Sequence, residues 1–289
     1  MEPDGLELLE ETEAGDSGLR EKGRGGAMSA RVYKLVGSCL VLVVVVGISV
    51  AGWFPYDPTR PDVSAILEGP SAAHLFGTDS SGFDVLSRVL ASPKHDVPLA
   101  LGGTILSLIV GVPLGLLTSM RSKVSGLIMR CVDVFQAFPL VIIALALVVV
   151  TGNNLRNVIY AIGVINIPRF IRLVRNEGML LQKARFMEAA RVCGSSTTRI
   201  LYRHVLPNVW SIVLVQCSLA AAYAMIVIAS LNFLGIGVSP PTPTLGSMIQ
   251  SGSGDIVNGQ WWVVLFPSIW LFVIVMAFNG IAGALDRER

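Results

Sequence analysis

Residues Phe186 to Asn208 read FMEAARVCGSSTTRILYRHVLPN, a polar interruption between two apolar runs. Met187, Glu188, Ala189, Ala190 and Arg191 are helix formers, and the spacing puts Phe186, Ala190 and Cys193 on one face. Gly194 is placed to end that helix as a left-handed residue just past its last turn. Ser195, Ser196, Thr197 and Thr198 then offer side-chain oxygens to cap a second helix. The second helix presents Ile200, Leu201, His204 and Val205 together, with Arg199 and Arg203 stacked four apart. Pro207 either stops it or starts the next apolar run. Two readings stay open on these residues alone: a rigid two-helix knob offered to another protein, or an inner loop fixed by its own packing.

Working outward, the chain of 289 residues is 53% hydrophobic and 15% charged, where a soluble domain carries about 25% charge. The charges are segregated. No Asp, Glu, Lys or Arg falls in Leu35–Tyr56, Val97–Met120, Val134–Leu155, Asn157–Pro168, His204–Gly254 or Ile256–Leu285. A helix needs about 20 apolar residues to cross a bilayer. The pattern predicts an all-α polytopic membrane protein of six spans, near 35–53, 99–119, 134–150, 155–172, 209–231 and 263–285. With the N-terminus inside, 18 Lys and Arg lie on the inner side and 4 on the outer. That asymmetry places both termini and Phe186–Asn208 in the cytoplasm. The expected organisation is a cytoplasmic tail at 1–34, acidic and then basic, followed by a transmembrane domain at 35–289. The domain carries an external segment at 55–98, a cytoplasmic loop at 173–208 and an external Pro/Gly loop at 232–262.

Local signals refine this. Val85, Leu86, Val89 and Leu90 share a helix face that Asp84 can cap, giving a short helix expected to lie along the outer interface. Gly111 and Gly115 make a smooth face on the second span, suited to close helix packing. Asn166 and Pro168 make the fourth span polar and kinked, a pattern tolerated beside a wet path. Asn166, Pro168, Gln216 and Asn232 are the candidate pathway residues. The loop Ser239–Met248 reads as a stiff connector or a contact for an external partner.

Chemistry is bounded by what the residues cannot form. Coupled carriers usually place ionisable groups inside the membrane, and these spans hold none near their middles, with Arg156 and Arg169 toward opposite ends of the fourth. No Lys follows a Gly, so the phosphate loop G-x-x-x-x-G-K-[ST] is absent. His74, His95 and His204 are far apart, and the four cysteines have no metal-site spacing. The chain reads as a pathway whose energy comes from elsewhere, with no catalytic residues, no metal and no cofactor of its own.

The order Glu188-Ala189-Ala190, Gly194, Ile200, Leu206-Pro207 resembles the EAA loop of ABC importer permeases. Phe76-Gly77-Thr78-Asp79 with Gly82-Phe83-Asp84-Val85-Leu86-Ser87-Arg88 resembles a stretch of the oligopeptide, dipeptide and nickel branch, as do Asp133-Val134-Phe135 with Phe138-Pro139. Leu231 to Val238 followed by Pro240-Pro241-Thr242-Pro243, and Ala277-Phe278-Asn279 followed by Leu285-Asp286, fit as well. The resemblance covers roughly 35–289 and departs at Phe83 (usually Arg), 92–96, Cys193, Leu245 (usually Trp) and a shortened 280–284. It implies the type I importer permease fold in a bacterial inner membrane. It also implies a homologous permease partner, two ATP-binding subunits that hold ATP and Mg, an external substrate-binding protein, and no nucleic acid. By the same resemblance Glu188, Ala189, Ala190, Arg191, Gly194, Ile200, Leu206 and Pro207 couple to the ATPase, and peptides are the cargo. Nickel or another small solute is the alternative within the branch. A lone carrier or channel, or a scaffold that recruits a soluble partner, are the alternatives outside it.

Overall fold

The structure is a computed structural model, described here for residues 31–120, 122–238 and 241–286. The tail expectation for residues 1–30 lies outside the described residues. Five helices are long and apolar enough to cross a bilayer: α1 (Arg31–Ala51), α2 (Val85–Ala91) running on into α3 (Pro93–Ser119), α6 (Leu155–Leu181), the helix Thr197–Phe233, and α11 (Trp262–Leu285). A sixth crossing is made if the bent pair α4 (Lys123–Gln136) and α5 (Leu140–Thr151) is one span. Among the described residues there is no strand, only an isolated bridge between Thr78 and Asp84.

The third span, expected at 134–150 with Pro139 near its entry, is broken at that proline. Its two halves meet at 90°. Pro139 has no N–H to donate and disfavours helical backbone at Phe138, so α4 ends at Gln136. The Pro139 carbonyl then accepts from Ile142 and Ile143 to start α5. With 12 residues, α5 is about 18 Å long, too short to cross alone. The fourth span runs on to Leu181, well past 172, and stays helical through Pro168.

α3 and α6 form the central pair. A Cβ on Gly111 would stand 2.6 Å from the Phe170 Cβ, and one on Gly115 2.7 Å from the Val174 Cβ. The smooth face read from the sequence is therefore where α6 packs, and α6 reciprocates with Gly178 against Ser119. In lipid, where apolar surface alone does not drive helices together, such close approach is the main source of attraction. One core joins α3, α5, α6, α9 (Leu206–Phe233) and α11, while α1 leaves much of its surface exposed.

Contacts sort the molecule into two ends. At one, Gly178 meets Ser119 and Val205, and Gly283 lies beside Lys34. At the other, Ser49 donates to the Ala91 carbonyl, and the Trp262 indole donates to the Thr78 carbonyl. The short helix α2 belongs to this second end, and its apolar face is covered by protein. Its Val85 and Val89 are fully buried with Met248, Phe76, Trp262 and Phe266, and Phe76 stacks on Phe266 at 4.0 Å. Asp84 caps it as expected, accepting from the Ser87 N–H at 2.8 Å, and its other oxygen meets His74 Nδ1 at 2.9 Å. Phe83 receives the Arg88 guanidinium 4.1 Å over its ring. Burial holds the Asp79 carboxyl above its ordinary range, although the Phe83 and Ser81 N–H groups donate to it. The loop after α9 is more than a connector. It carries α10 (Leu245–Gly252), whose first N–H donates to the buried Asp96 carboxylate at 3.0 Å.

Candidate coupling surface

After α6 the chain turns at Leu181–Ala184 and enters α7 (Arg185–Val192). Met187 is the one fully buried side chain of α7. It sits in an apolar cluster with Val112 and Leu116 of α3, Phe170 and Val174 of α6, and Ile200, Leu201 and Val205. Phe186 and Cys193, read from the spacing as sharing a face with Ala190, are exposed. At 100° per residue Met187 faces inward, and Phe186 is turned away with the solvent side. Ala190 is half-buried.

Arg185, Glu188, Ala189 and Val192, at i, i+3, i+4 and i+7, are all exposed and form one outward stripe. Val192 is 87% exposed. Glu188 in the first turn and Arg191 in the last both suit the helix dipole. Arg191 donates to Gln182 Oε1 at 3.4 Å, and the Gln182 amide donates to the Ser119 carbonyl at 2.7 Å, tying α7 to α6 and α3.

The helix ends as its glycine requires. Gly194 has φ +74°, its N–H donates to the Arg191 carbonyl, and the Ser195 N–H donates to the Ala190 carbonyl. This pair of bonds is the Schellman closure. Ser196 caps α8 (Thr197–Ile200) through Arg199 N–H. Pro207 does not stop the second helix. The chain continues through a π-turn at Leu201–Val205, closed by the Leu206 N–H on the Leu201 carbonyl, directly into α9 with Pro207 in its first turn. Ile200, Leu201 and Val205 are buried beneath α7; Leu206 is half-buried and Pro207 exposed. The second short helix is therefore continuous with a spanning helix, and α7 with its stripe is joined to it by the turn Cys193–Ser196.

The four candidate pathway residues are not brought together. Asn166 and Pro168 are buried in α6, and the Asn166 amide donates to the Ile162 carbonyl. Gln216 is half-buried on α9. Asn232 is buried at the far end of α9, accepting from the Val238 N–H. Because α6 extends to Leu181, Arg169 falls near its midpoint, not at an end. Its guanidinium lies 3.6 Å from the Tyr223 ring centroid.

The family description "Binding-protein-dependent transport system inner membrane component" matches residues 104–289. The chain belongs to this family. The match takes in most of α3 and every element from α4 to α11, with α7 among them. The glutathione transport system permease protein GsiD of Pectobacterium atrosepticum is 36% identical over 257 residues, covering 86% of this chain and 85% of the relative. GsiD of Escherichia coli strain 536 is 38% identical over 272 residues, covering 91% of this chain and 86% of the relative. The di/tripeptide transport system permease protein DppC of Pseudomonas aeruginosa is 35% identical over 266 residues, covering 88% of each. A solved inward-facing structure of the MetNI methionine ABC transporter superposes with a TM-score of 0.55 at 18% identity. It covers 69% of this chain and 97% of that one, and shares the fold.

Proposed function

We propose that this family member is the membrane-spanning permease of an ATP-driven importer of short peptides, coupled through α7 to a cytoplasmic ATP-binding subunit. The observation that carries the reading is the exposed stripe of Arg185, Glu188, Ala189 and Val192 on a helix fixed by the buried Met187. A small residue at its centre lets a partner approach the backbone. The mixed charges and Val192 give that partner both polar and apolar contact. Since the second short helix runs unbroken into α9, displacement of the stripe is transmitted to a spanning helix. An external binding protein delivers the cargo, in line with the family's description as binding-protein-dependent, and a homologous permease, implied by the sequence resemblance, completes the pathway; the peptide cargo follows the relatives named as peptide and glutathione permeases. The chain spans the bacterial inner membrane with both termini in the cytoplasm, and catalysis of ATP hydrolysis belongs to the partner subunits.

Ala189→Trp tests the coupling. Ala189 is exposed, so the substitution costs this chain's fold within about 0.5 kcal/mol while obstructing a close-fitting partner. The expected outcome is an inserted, folded permease whose complex loses binding-protein-stimulated ATP hydrolysis. Wild-type stimulation in that variant overturns the assignment of α7.

A further inference from the structure

Arg169 is a cation among the packed turns of α6. It is near the midpoint of this 27-residue helix, roughly 20 Å along it from either end. Around it α6 is sheathed by the bundle: Ile165, Asn166, Pro168, Phe170 and Ile171 are all buried. An ionisable group among buried neighbours on a spanning helix faces a protein interior or a wet path, and within the bilayer such groups mark function more often than packing.

Its environment is half-made for an anion. The Tyr223 ring of α9 covers one face of the guanidinium at 3.6 Å, and Asn166 Oδ1 accepts from Nη1 at 3.4 Å. A guanidinium has five N–H donors in a rigid fork, and these contacts use one of them. No carboxylate among the described residues lies within ion-pair distance of it; the Asp at this level, Asp133, is engaged by Arg172.

The approach is also present. Arg169, Arg172, Asn176 and Leu180 lie at i, i+3, i+7 and i+11, within about 80° on one face of α6. Arg172, Asn176 and Leu180 are exposed, Arg169 is half-buried, and Asn166 beyond it is fully buried. The face is thus open from the α7 end and closes just past Arg169. Its open end leads to a cavity of about 580 Å³ lined by Asn176, Leu180, Lys183 and Arg191. A track with basic groups along it ends at a cation most of whose fork is unused among the described residues.

We propose that Arg169 receives the carboxylate of the cargo, the α-carboxylate of a short peptide, as it passes the middle of the bundle. Tyr223 and Asn166 are positioning residues that hold the guanidinium plane toward the track. The inference rests on the peptide-importer reading above and adds the group recognised. Arg matches a carboxylate through two parallel N–H···O bonds, and loss of a hydrogen bond to a charged group costs tenfold or more in an equilibrium, roughly.

The test uses the complete importer in proteoliposomes with two labelled tripeptides, one with a free C-terminal carboxylate and one C-terminally amidated. Uptake of each is normalised to the occupancy of the external binding protein. The wild type should favour the free acid by about tenfold. Arg169→Gln should lose that preference while keeping binding-protein-stimulated ATP hydrolysis and uptake of the amide, and Arg169→Lys should restore part of it. Equal losses for both peptides in Arg169→Gln would make the residue a strut between α6 and α9 and overturn the proposal, as would an unchanged preference. If the wild type moves neither peptide, the peptide reading itself fails and this inference with it.

Discussion

Truncating Met187 removes the only side chain that α7 buries. Met187→Ala should therefore destabilise the attachment of α7 by about 2–5 kcal/mol, the usual range for a core Met cut to Ala. Val192→Ala, at a fully solvated neighbour, should stay within about 0.5 kcal/mol. Thermal unfolding of the purified proteins, read beside protease sensitivity at 181–196, checks both, and comparable effects from the two would mean that α7 is not seated as described. Gly194 is a different kind of position. No atom lies within 4 Å of an added Cβ, but φ is +74°, so Gly194→Ala costs roughly 1–2 kcal/mol from the backbone alone. This glycine and the Asp84 cap were legible in the sequence because both are local chemistry: a helix end and a helix start. The identity of the inward residue was not. Phe186 and Met187 are both apolar, and only the phase at which α7 meets Val112 and Phe170 decides between them.

Packed elements extend the same division. The i, i+4 glycines of α3 announced a contact face, yet nothing local named Phe170 and Val174 as what fills it. Gly115→Leu would drive its first carbon to 2.7 Å from the Val174 Cβ and 3.1 Å from the Ile171 carbonyl, forcing α3 and α6 apart. Overpacking of this kind costs about 1–3 kcal/mol, sometimes more, and should appear as a lowered yield of folded protein and a lower Tm. Gly126 of α4 has nothing within 4 Å of an added Cβ, and Gly126→Ala should gain about 0.8–1 kcal/mol from helix propensity. Matching losses at both glycines would sink the seam. Pro139 stood in the run 134–150 as a local signal, and its consequence is a 90° break into two helices. Elsewhere, distant partners overrode what the local pattern said. The stripe on α2 looked interfacial until Trp262, Phe266 and Met248, more than 150 residues later, covered it. The π-turn at Leu201–Val205 carried no sequence signal beyond Pro207, whose missing N–H removes one α-type bond and lets the turn widen.

Taken whole, the molecule has one end that holds α7 and another that holds the capping segment of α2, α10 and Trp262. The tally of Lys and Arg predicts that the α7 end faces the cytoplasm, because cationic side chains near the spans are retained inside. Cys193 turns that orientation into a measurement. It is exposed at the Ccap of α7, beside the stripe assigned to the ATP-binding subunit. With Cys39, Cys131 and Cys217 replaced by Ala, a membrane-impermeant maleimide should label Cys193 in inverted membrane vesicles and leave it untouched in cells with intact inner membranes. Adding the ATP-binding subunit should then slow the labelling, since a partner that closes over Val192 and Ala189 must also cover the adjacent thiol. Labelling of intact cells would invert the topology. Labelling from the inside at a rate indifferent to the ATP-binding subunit would keep the topology and move the docking surface off α7.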